Sequence, residues 1–454
     1  MDRADRGRRD DPAPERVGVV IAGAGARGAY EAGALSVVLP RLAAAGVRPR
    51  VFVGTSAGAI NATLLAAGAH LPAEDQAAAL LDVWHGIGPR DVFAPLLTST
   101  PRAAGTWLAQ QLGVRGVRLT GLVDTTPLAR TADAVVDWPR LRANIDSGAC
   151  RALAVATTSG RSGRTVVFTD LPPGVSVPED DQDRAVDYVA APIGSAHVRA
   201  SAAIPVVFPA VEVTGPPESA GWYLDGGVRL NAPLKPALDL GCDALVVVAA
   251  HPDSYAGDAG APHHERPDVD DALVMLLDAA FGDRMVEDLR TLTRVNEFVA
   301  AGGAGGASGR RRSVVPHLFV GPPERATLSR LAAEVYRARF TGLRGRIRTL
   351  REPDLPLLAQ VLGGDGPRRG DVLSYLLFDR EFIARAVTLG REQASALLAG
   401  AAPVPWRTTA REDRSAPVSA PGQEPGDTGE GGARPVPQPR SAPAGAPSRP
   451  GGVV

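Results

Sequence analysis

Uninterrupted apolar runs alternate along this chain with stretches whose apolar positions recur every three or four residues. Residues 17–22 form the first run. A glycine-rich turn follows, then a helical pattern from about 29 to 45, carried by Tyr30, Leu35, Val38, Leu39 and Leu42 and kinked at Pro40. Residues 51–53 open a second run, which feeds another helix ending near residue 67. A run without polar alternation suits a strand buried on both faces. Strand, helix, strand in that order defines a β-α-β unit of a parallel sheet. Further strands are expected at 152–157, 165–168, 206–213, 222–224, 244–250 and 314–320. Helical patterns cover 74–112, 191–203, 234–240, 270–300, 324–340, 342–350 and 371–398, with short helices near 127–130 and 139–141. The fold class this predicts is α/β: three layers, α/β/α, around a mainly parallel central sheet, with a helical C-terminal region.

The pattern fades at both ends. Residues 1–16 are charged and proline-punctuated and read as a disordered leader without the apolar core of a signal peptide. Residues 401–454 are rich in Pro, Gly and Ala, bury too little to offset chain entropy, and read as a disordered tail. Residues 302–312 read as a flexible glycine-rich segment. Between the ends lie a region at 17–250 carrying the motifs and a mainly helical extension at 251–400 that completes the fold. An apolar content of 44% over 454 residues permits a sizeable core, and a net charge of −1 gives no field to recruit nucleic acid. No run reaches the roughly 20 apolar residues of a membrane helix, so a cytoplasmic protein is expected, peripheral at a membrane at most. Cys150 and Cys242 flank apolar runs and read as buried free thiols.

Three short motifs carry candidate chemistry. The first, Gly23-Ala24-Gly25-Ala26-Arg27-Gly28, lies between a strand and a helix. It fits a dinucleotide fingerprint in its glycines, but the next strand ends without the carboxylate that would hold a ribose. The other readings are an oxyanion hole made of backbone amides, or a plain turn. The second, Gly54-Thr55-Ser56-Ala57-Gly58, fits a serine on a strand-to-helix elbow; the competing role for Ser56 is a helix N-cap. The third, Asp225-Gly226-Gly227, ends a strand and offers a carboxylate with small neighbours, or else a turn aspartate. Of the histidines at 70, 85, 197, 251, 263, 264 and 317, only His251, after a buried strand, suits a Ser-Asp-His order. No His/Cys/Asp cluster has the spacing of metal ligands, and no metal or organic cofactor is expected.

The three motifs in this order resemble those of the patatin-like phospholipases. The segments 200–209 and 225–234 are similar to those that surround the family's catalytic aspartate, and the resemblance covers about residues 17 to 250. It implies a modified α/β-hydrolase sheet and a Ser-Asp dyad without histidine. Ser56 would be the nucleophile and Asp225 the general base. Gly23, Ala24, Gly25, Arg27 and Gly28 would form or support the oxyanion hole, with Gly54, Gly58, Gly226 and Gly227 supporting the elbow and the aspartate loop. The implied reaction is hydrolysis of fatty-acyl esters of lipids or phospholipids through an acyl-serine. The implied partners are a lipid or other acyl-ester substrate and a transient membrane surface, and no nucleic acid. Ala24 stands where the family usually has glycine, which matters if that residue needs a positive φ. Two other classes stand beside this one: a nucleotide-binding α/β protein using the Gly23–Gly28 loop, and a catalytically silent binding module of the same fold.

Overall fold

The computed structural model describes residues 14–94, 121–254, 275, 282–302, 313–340, 369–400 and 403–408. All of them belong to one compact unit, residues 1–412. The chain opens with β1 (Val17–Ile21), a 3-10 turn (Gly25–Arg27), α1 (Gly28–Ala44), β2 (Val51–Thr55), α2 (Ala57–Ala67), α3 (Ala73–Gly86) and α4 (Pro89–Val92). There follow α5 (Thr126–Val135), α6 (Trp138–Asp146), β3 (Ala152–Ser159), β4 (Thr165–Asp170), β5 (Val186–Ala190), α7 (Ser195–Ser201), β6 (Val211–Val213) and β7 (Gly221–Asp225). The last described elements are α8 (Leu234–Asp239), β8 (Ala244–Val248), α9 (Arg284–Ala300), β9 (His317–Val320), α10 (Thr327–Phe340), α11 (Arg369–Leu376) and α12 (Arg380–Leu397).

The strands form one sheet in the order β5-β4-β3-β2-β1-β8-β9, with β7 joined to β3 and β6 to β7. The pairs β1/β2, β2/β3, β1/β8, β8/β9 and β4/β5 are parallel; β3/β4, β3/β7 and β6/β7 are antiparallel. Why the runs are uniformly apolar is visible in their two faces. Val19, Ile21, Phe52, Val155, Val246 and Val248 enter one core, under α1, α2 and the C-terminal helices. Their alternating neighbours Val20, Val53, Ala154, Leu245 and Val247 enter a second, with residues of α8 and α9. Side chains alternate across a strand, so a strand between two cores must be apolar at every position. Cys150 and Cys242 are free and buried.

Four expectations change. Residues 186–190, not expected as a strand, form β5, which pairs parallel with β4 at the sheet edge; its polar Asp187 hid it. The expected strand at 206–213 shrinks to Val211–Val213, because Pro205 and Pro209 lack the amides a ladder needs. The helix at 191–203 starts only at Ser195, after Pro192 and Gly194. The helix at 371–398 is two helices. Asp379 is extended (φ −85, ψ 134), and its carboxylate accepts from the amides of Glu381 and Phe382, capping α12. The helix expected around Trp107 and Leu108, the one at 342–350, most of the leader, the segment 303–312 and nearly all of the tail lie outside the described residues.

A buried polar knot ties the first three helices together. Asn61 Nδ2 donates to Glu31 Oε2 and to the carbonyl of Gly28, both at 3.2 Å, and Trp84 Nε1 donates to Asn61 Oδ1 at 2.7 Å. Glu31 is fully buried, and its Oε1 has no hydrogen-bond partner among the described residues. Burial pushes its carboxyl well above the usual carboxylate range, with the Asn61 bond pulling weakly the other way. A raised folded pKa means that the stability contributed by neutral Glu31 is present in acid and lost as pH rises through that pKa. The variant Glu31→Gln cannot ionise. Its stability relative to wild type, read from urea midpoints, is expected to improve steadily from pH 5 to pH 9. A constant difference across that range would show that Glu31 ionises as readily in the folded protein as in the unfolded one.

Candidate active site

The site is built by two strands that meet end to end beside a third. Strand β2 pairs with β3 from Val51↔Ala152 to Thr55↔Ala156. At the next residue a different strand takes over. Thr157 faces Asp225, and β7 runs antiparallel from there to Ser159↔Tyr223. The C-terminal ends of β2 and β7 therefore converge, and the residues that emerge there are Ser56 and Asp225. Ser56 Oγ donates to Asp225 Oδ2 at 2.7 Å, with Ser56 4% and Asp225 0% exposed.

Ser56 sits at φ 55 and ψ −127. A non-glycine residue in that region costs of the order of 1–3 kcal/mol and signals a site that the surroundings impose. Its side chain does not cap α2, so the N-cap role weighed from sequence is not the one it plays. The elbow closes only because its neighbours lack side chains. A Cβ at Gly54 would lie 2.2 Å from the carbonyl oxygen of Gly58, and one at Gly58 would lie 2.3 Å from those of Ile21 and Ala22. Gly226 likewise lies against the Ala156 carbonyl.

Asp225 is held from all sides by neutral groups. Its Oδ1 accepts from the Gly227 amide at 2.7 Å, its carbonyl from Thr158 Oγ1 at 2.9 Å, and its own amide donates to the Ala203 carbonyl at 2.9 Å. Burial pushes its pKa up to about 7, against the opposing pull of the Ser56 and Gly227 bonds.

Several residues that sequence reasoning did not single out hold the frame. Ser201 Oγ accepts from the Ser56 amide at 2.8 Å and donates to the Ala156 carbonyl at 2.6 Å, joining the elbow to β3. Thr55 Oγ1 donates to the Leu230 carbonyl at 2.9 Å. Ser201 lies inside the segment 200–209, so its position was visible but its role was not.

The glycine loop divides its groups. The amide of Gly23 donates to the carbonyl of Asn231 at 3.1 Å and is thereby spent. Ala24 has φ −147 and ψ −9, so its backbone needs no glycine, whereas Gly25 has φ +55. Gly28 begins α1 where a Cβ would meet Trp84 at 2.7 Å and the Cβ of Ala57 at 3.0 Å. Arg27 is buried and turns to the C-terminal helices. Its Nε donates to Ser374 Oγ at 2.8 Å, and a terminal nitrogen donates to Ser329 Oγ and the Asp371 carbonyl, both at 3.2 Å. His251, the histidine considered as a base, shares a 2.7 Å hydrogen bond between its Nε2 and the Tyr375 hydroxyl. His263 and His264 lie outside the described residues.

Beside Ser56 runs a narrow apolar slot lined by Ile60, Trp84, Leu128, Ile204, Phe208 and Phe378, among others. Its interior space is about 50 Å³, against roughly 300 Å³ or more in pockets that hold a ligand. Among the described residues, no group of three or more His, Cys, Asp and Glu side chains is arranged to hold a metal ion.

The layered sheet with a serine elbow at the carboxyl ends of its strands defines an α/β protein of hydrolase type. The family model for patatin-like phospholipases matches residues 19–238, so that part of the chain is a patatin-like phospholipase domain. A crystal structure of VipD from Legionella pneumophila is similar over 85% of this chain and 67% of that one, with 16% identity and a TM-score of 0.32. No curated protein matches the chain.

The pKa of Asp225 makes it a stability liability in alkali. Its neutral form is favoured by the fold, so the stability it contributes is present below about pH 4 and is lost as pH rises through about 7. The variant Asp225→Asn is therefore expected to be more stable than wild type above pH 8, by an amount on the order of 4 kcal/mol, and to converge with it below pH 4. Chemical denaturation at the two pH values measures this. Equal stabilities at pH 9 would show that the carboxylate is not held out of water.

Proposed function

We propose that the chain hydrolyses acyl esters of lipids through an acyl-serine intermediate, with Ser56 as nucleophile and Asp225 as general base. The observation that carries this reading is the 2.7 Å bond to a buried carboxylate from the Oγ of Ser56, a residue that also lines an apolar slot. The patatin-like phospholipase domain supports lipid acyl hydrolase activity in general. Asp225 takes the Ser56 proton as Oγ attacks the ester carbonyl, and the negative charge that develops on the carbonyl oxygen is met by amides of the glycine loop, those of Ala24 and Gly25. The protonated Asp225 then gives its proton to the departing alkoxide. Next it accepts a proton from the water that attacks the acyl-serine, and finally returns it to Ser56 as the fatty acid leaves. A carboxyl with a pKa near 7 suits both directions of transfer at neutral pH.

The slot gives the acyl chain an apolar wall, and its small volume means that the walls part when a chain enters. Among the described residues no helix is long and apolar enough to cross a membrane, and contact with a lipid surface would be peripheral. The nucleotide-binding alternative is disfavoured by the loop itself. Gly23 spends its amide within the protein, and Arg27 turns away to helices α10 and α11.

Ser56→Ala and Asp225→Asn are each expected to lower ester hydrolysis by at least about 10⁴-fold while remaining folded. A fluorophosphonate probe should label wild type at Ser56. A wild-type protein that takes no label and cleaves no lipid ester would be the silent binding module instead. Since Asp225 must be ionised to act, kcat/KM is expected to fall in acid with a midpoint at about 7. A profile flat from pH 5 to 9 would remove Asp225 from the role of base.

A further inference from the structure

Three groups that the dyad does not use converge on one residue beside the glycine loop. The Tyr375 hydroxyl of α11 is 2.7 Å from His251 Nε2, in the segment just after β8, and both residues are buried. The Arg27 guanidinium carbon lies 3.9 Å from the centroid of the Tyr375 ring, a cation–π contact in a desolvated setting. The Tyr375 backbone touches the loop directly: a Cβ at Gly25 would lie 2.4 Å from its carbonyl oxygen. Arg27 in turn closes the loop through its amide, which donates to the Ala24 carbonyl at 3.1 Å.

We propose that His251 and Tyr375 are a positioning pair for the oxyanion loop: His251 fixes the Tyr375 hydroxyl, and Tyr375 seats Gly25 and Arg27 so that the loop amides face Ser56. This rests on the reading of Ser56 as nucleophile. The pair acts from outside the reacting atoms. His251 is occupied by Tyr375, and burial together with the nearby Arg27 and Arg325 holds the imidazole neutral. An amide that must meet a developing charge tolerates little displacement, and an error near 1 Å can cost about 100-fold in rate. The Tyr375 backbone packed against Gly25 removes that freedom.

The test uses the full chain and the variants Tyr375→Phe, His251→Phe, their double variant and His251→Gln. Gln places an amide near the position of Nε2 and keeps a partner for the hydroxyl. Two readouts are taken. The first is kcat and KM on a water-soluble short-chain ester, chosen because it makes little use of the slot that Tyr375 also lines. The second is hydrogen exchange of a peptide spanning residues 22–30. Each single Phe variant is expected to lower kcat by about ten- to a hundredfold with KM little changed. The double variant should be no worse than either single one, His251→Gln should recover most of the rate, and the pH midpoint should stay where wild type has it. Exchange in 22–30 should quicken in all three Phe-bearing variants. Wild-type exchange and kcat in Tyr375→Phe would overturn the proposal, as would additive effects in the double variant. A loss in His251→Gln as large as in Ser56→Ala would overturn it too, since His251 would then be the base. Should wild type itself hydrolyse no ester and take no fluorophosphonate, the reading of Ser56 fails, and hydrogen exchange alone then decides whether the pair fixes the loop. If His251→Phe does not fold, Tyr375→Phe and His251→Gln decide it.

Discussion

The hydrogen bond between Ser56 and Asp225 constrains nearly everything around it, because the fold must hold a carboxyl group out of water. Isolated charges are costly to bury, and a group in that position answers by raising its pKa. Asp225 does so, and neutral donors, the Gly227 amide and the Ser56 hydroxyl, offset part of the cost. The serine adds its own strain through a positive φ. Such a pair persists only where the scaffold over-determines it. Here the scaffold is a sheet whose central strands are apolar on both faces and packed between two cores.

The end-to-end meeting of β2 and β7 explains why three motifs far apart in sequence form one place. Residues 225–231 act as the stitch. Asp225 takes the Ser56 proton bond, the Leu230 carbonyl takes the Thr55 hydroxyl, and the Asn231 carbonyl takes the Gly23 amide. One short segment therefore touches the end of β2 twice and the end of β1 once. Gly226 allows this, since its α-carbon lies against the Ala156 carbonyl where a side chain has no room. A longer β2 would occupy the edge of β3 that β7 needs, so the length of β2 is itself part of the site.

What the sequence made legible follows from which forces are local. Runs such as 244–248 announce strands between two cores, and helix periodicity locates α1 and α2, because these patterns need only the residue and its immediate neighbours. Ser56 and Asp225 were legible as candidates through glycines that permit close approach. The edge strand β5 was not, since half-burial allows Asp187 in its middle. The break before α12 was hidden because apolar residues continue across Leu377 and Phe378, and only the Asp379 side chain, capping two amides, ends one helix and starts the next. The spending of the Gly23 amide and the strain at Ser56 are tertiary facts, and no spacing of residue types reports them.

Arg27 shows how far such tertiary facts reach. From its place in the motif it belongs with the oxyanion loop, and its backbone does lie there. Its guanidinium, however, needs donors satisfied in a buried setting, and the groups that supply acceptors are Ser329, Ser374 and the Asp371 carbonyl, with the Tyr375 ring below. Ser329 is tied in turn to the Asp371 carboxylate, so a negative group stands one hydroxyl away from the cation. The matched family domain ends at residue 238, and every one of these partners follows it. The C-terminal helices therefore do more than cover a face of the sheet: α12 lies against α1 at Gly33 and Gly390, where only bare backbone fits. α11 supplies the surface on which the loop's one buried cation rests. The loop that faces Ser56 is thus shaped from both ends of the chain.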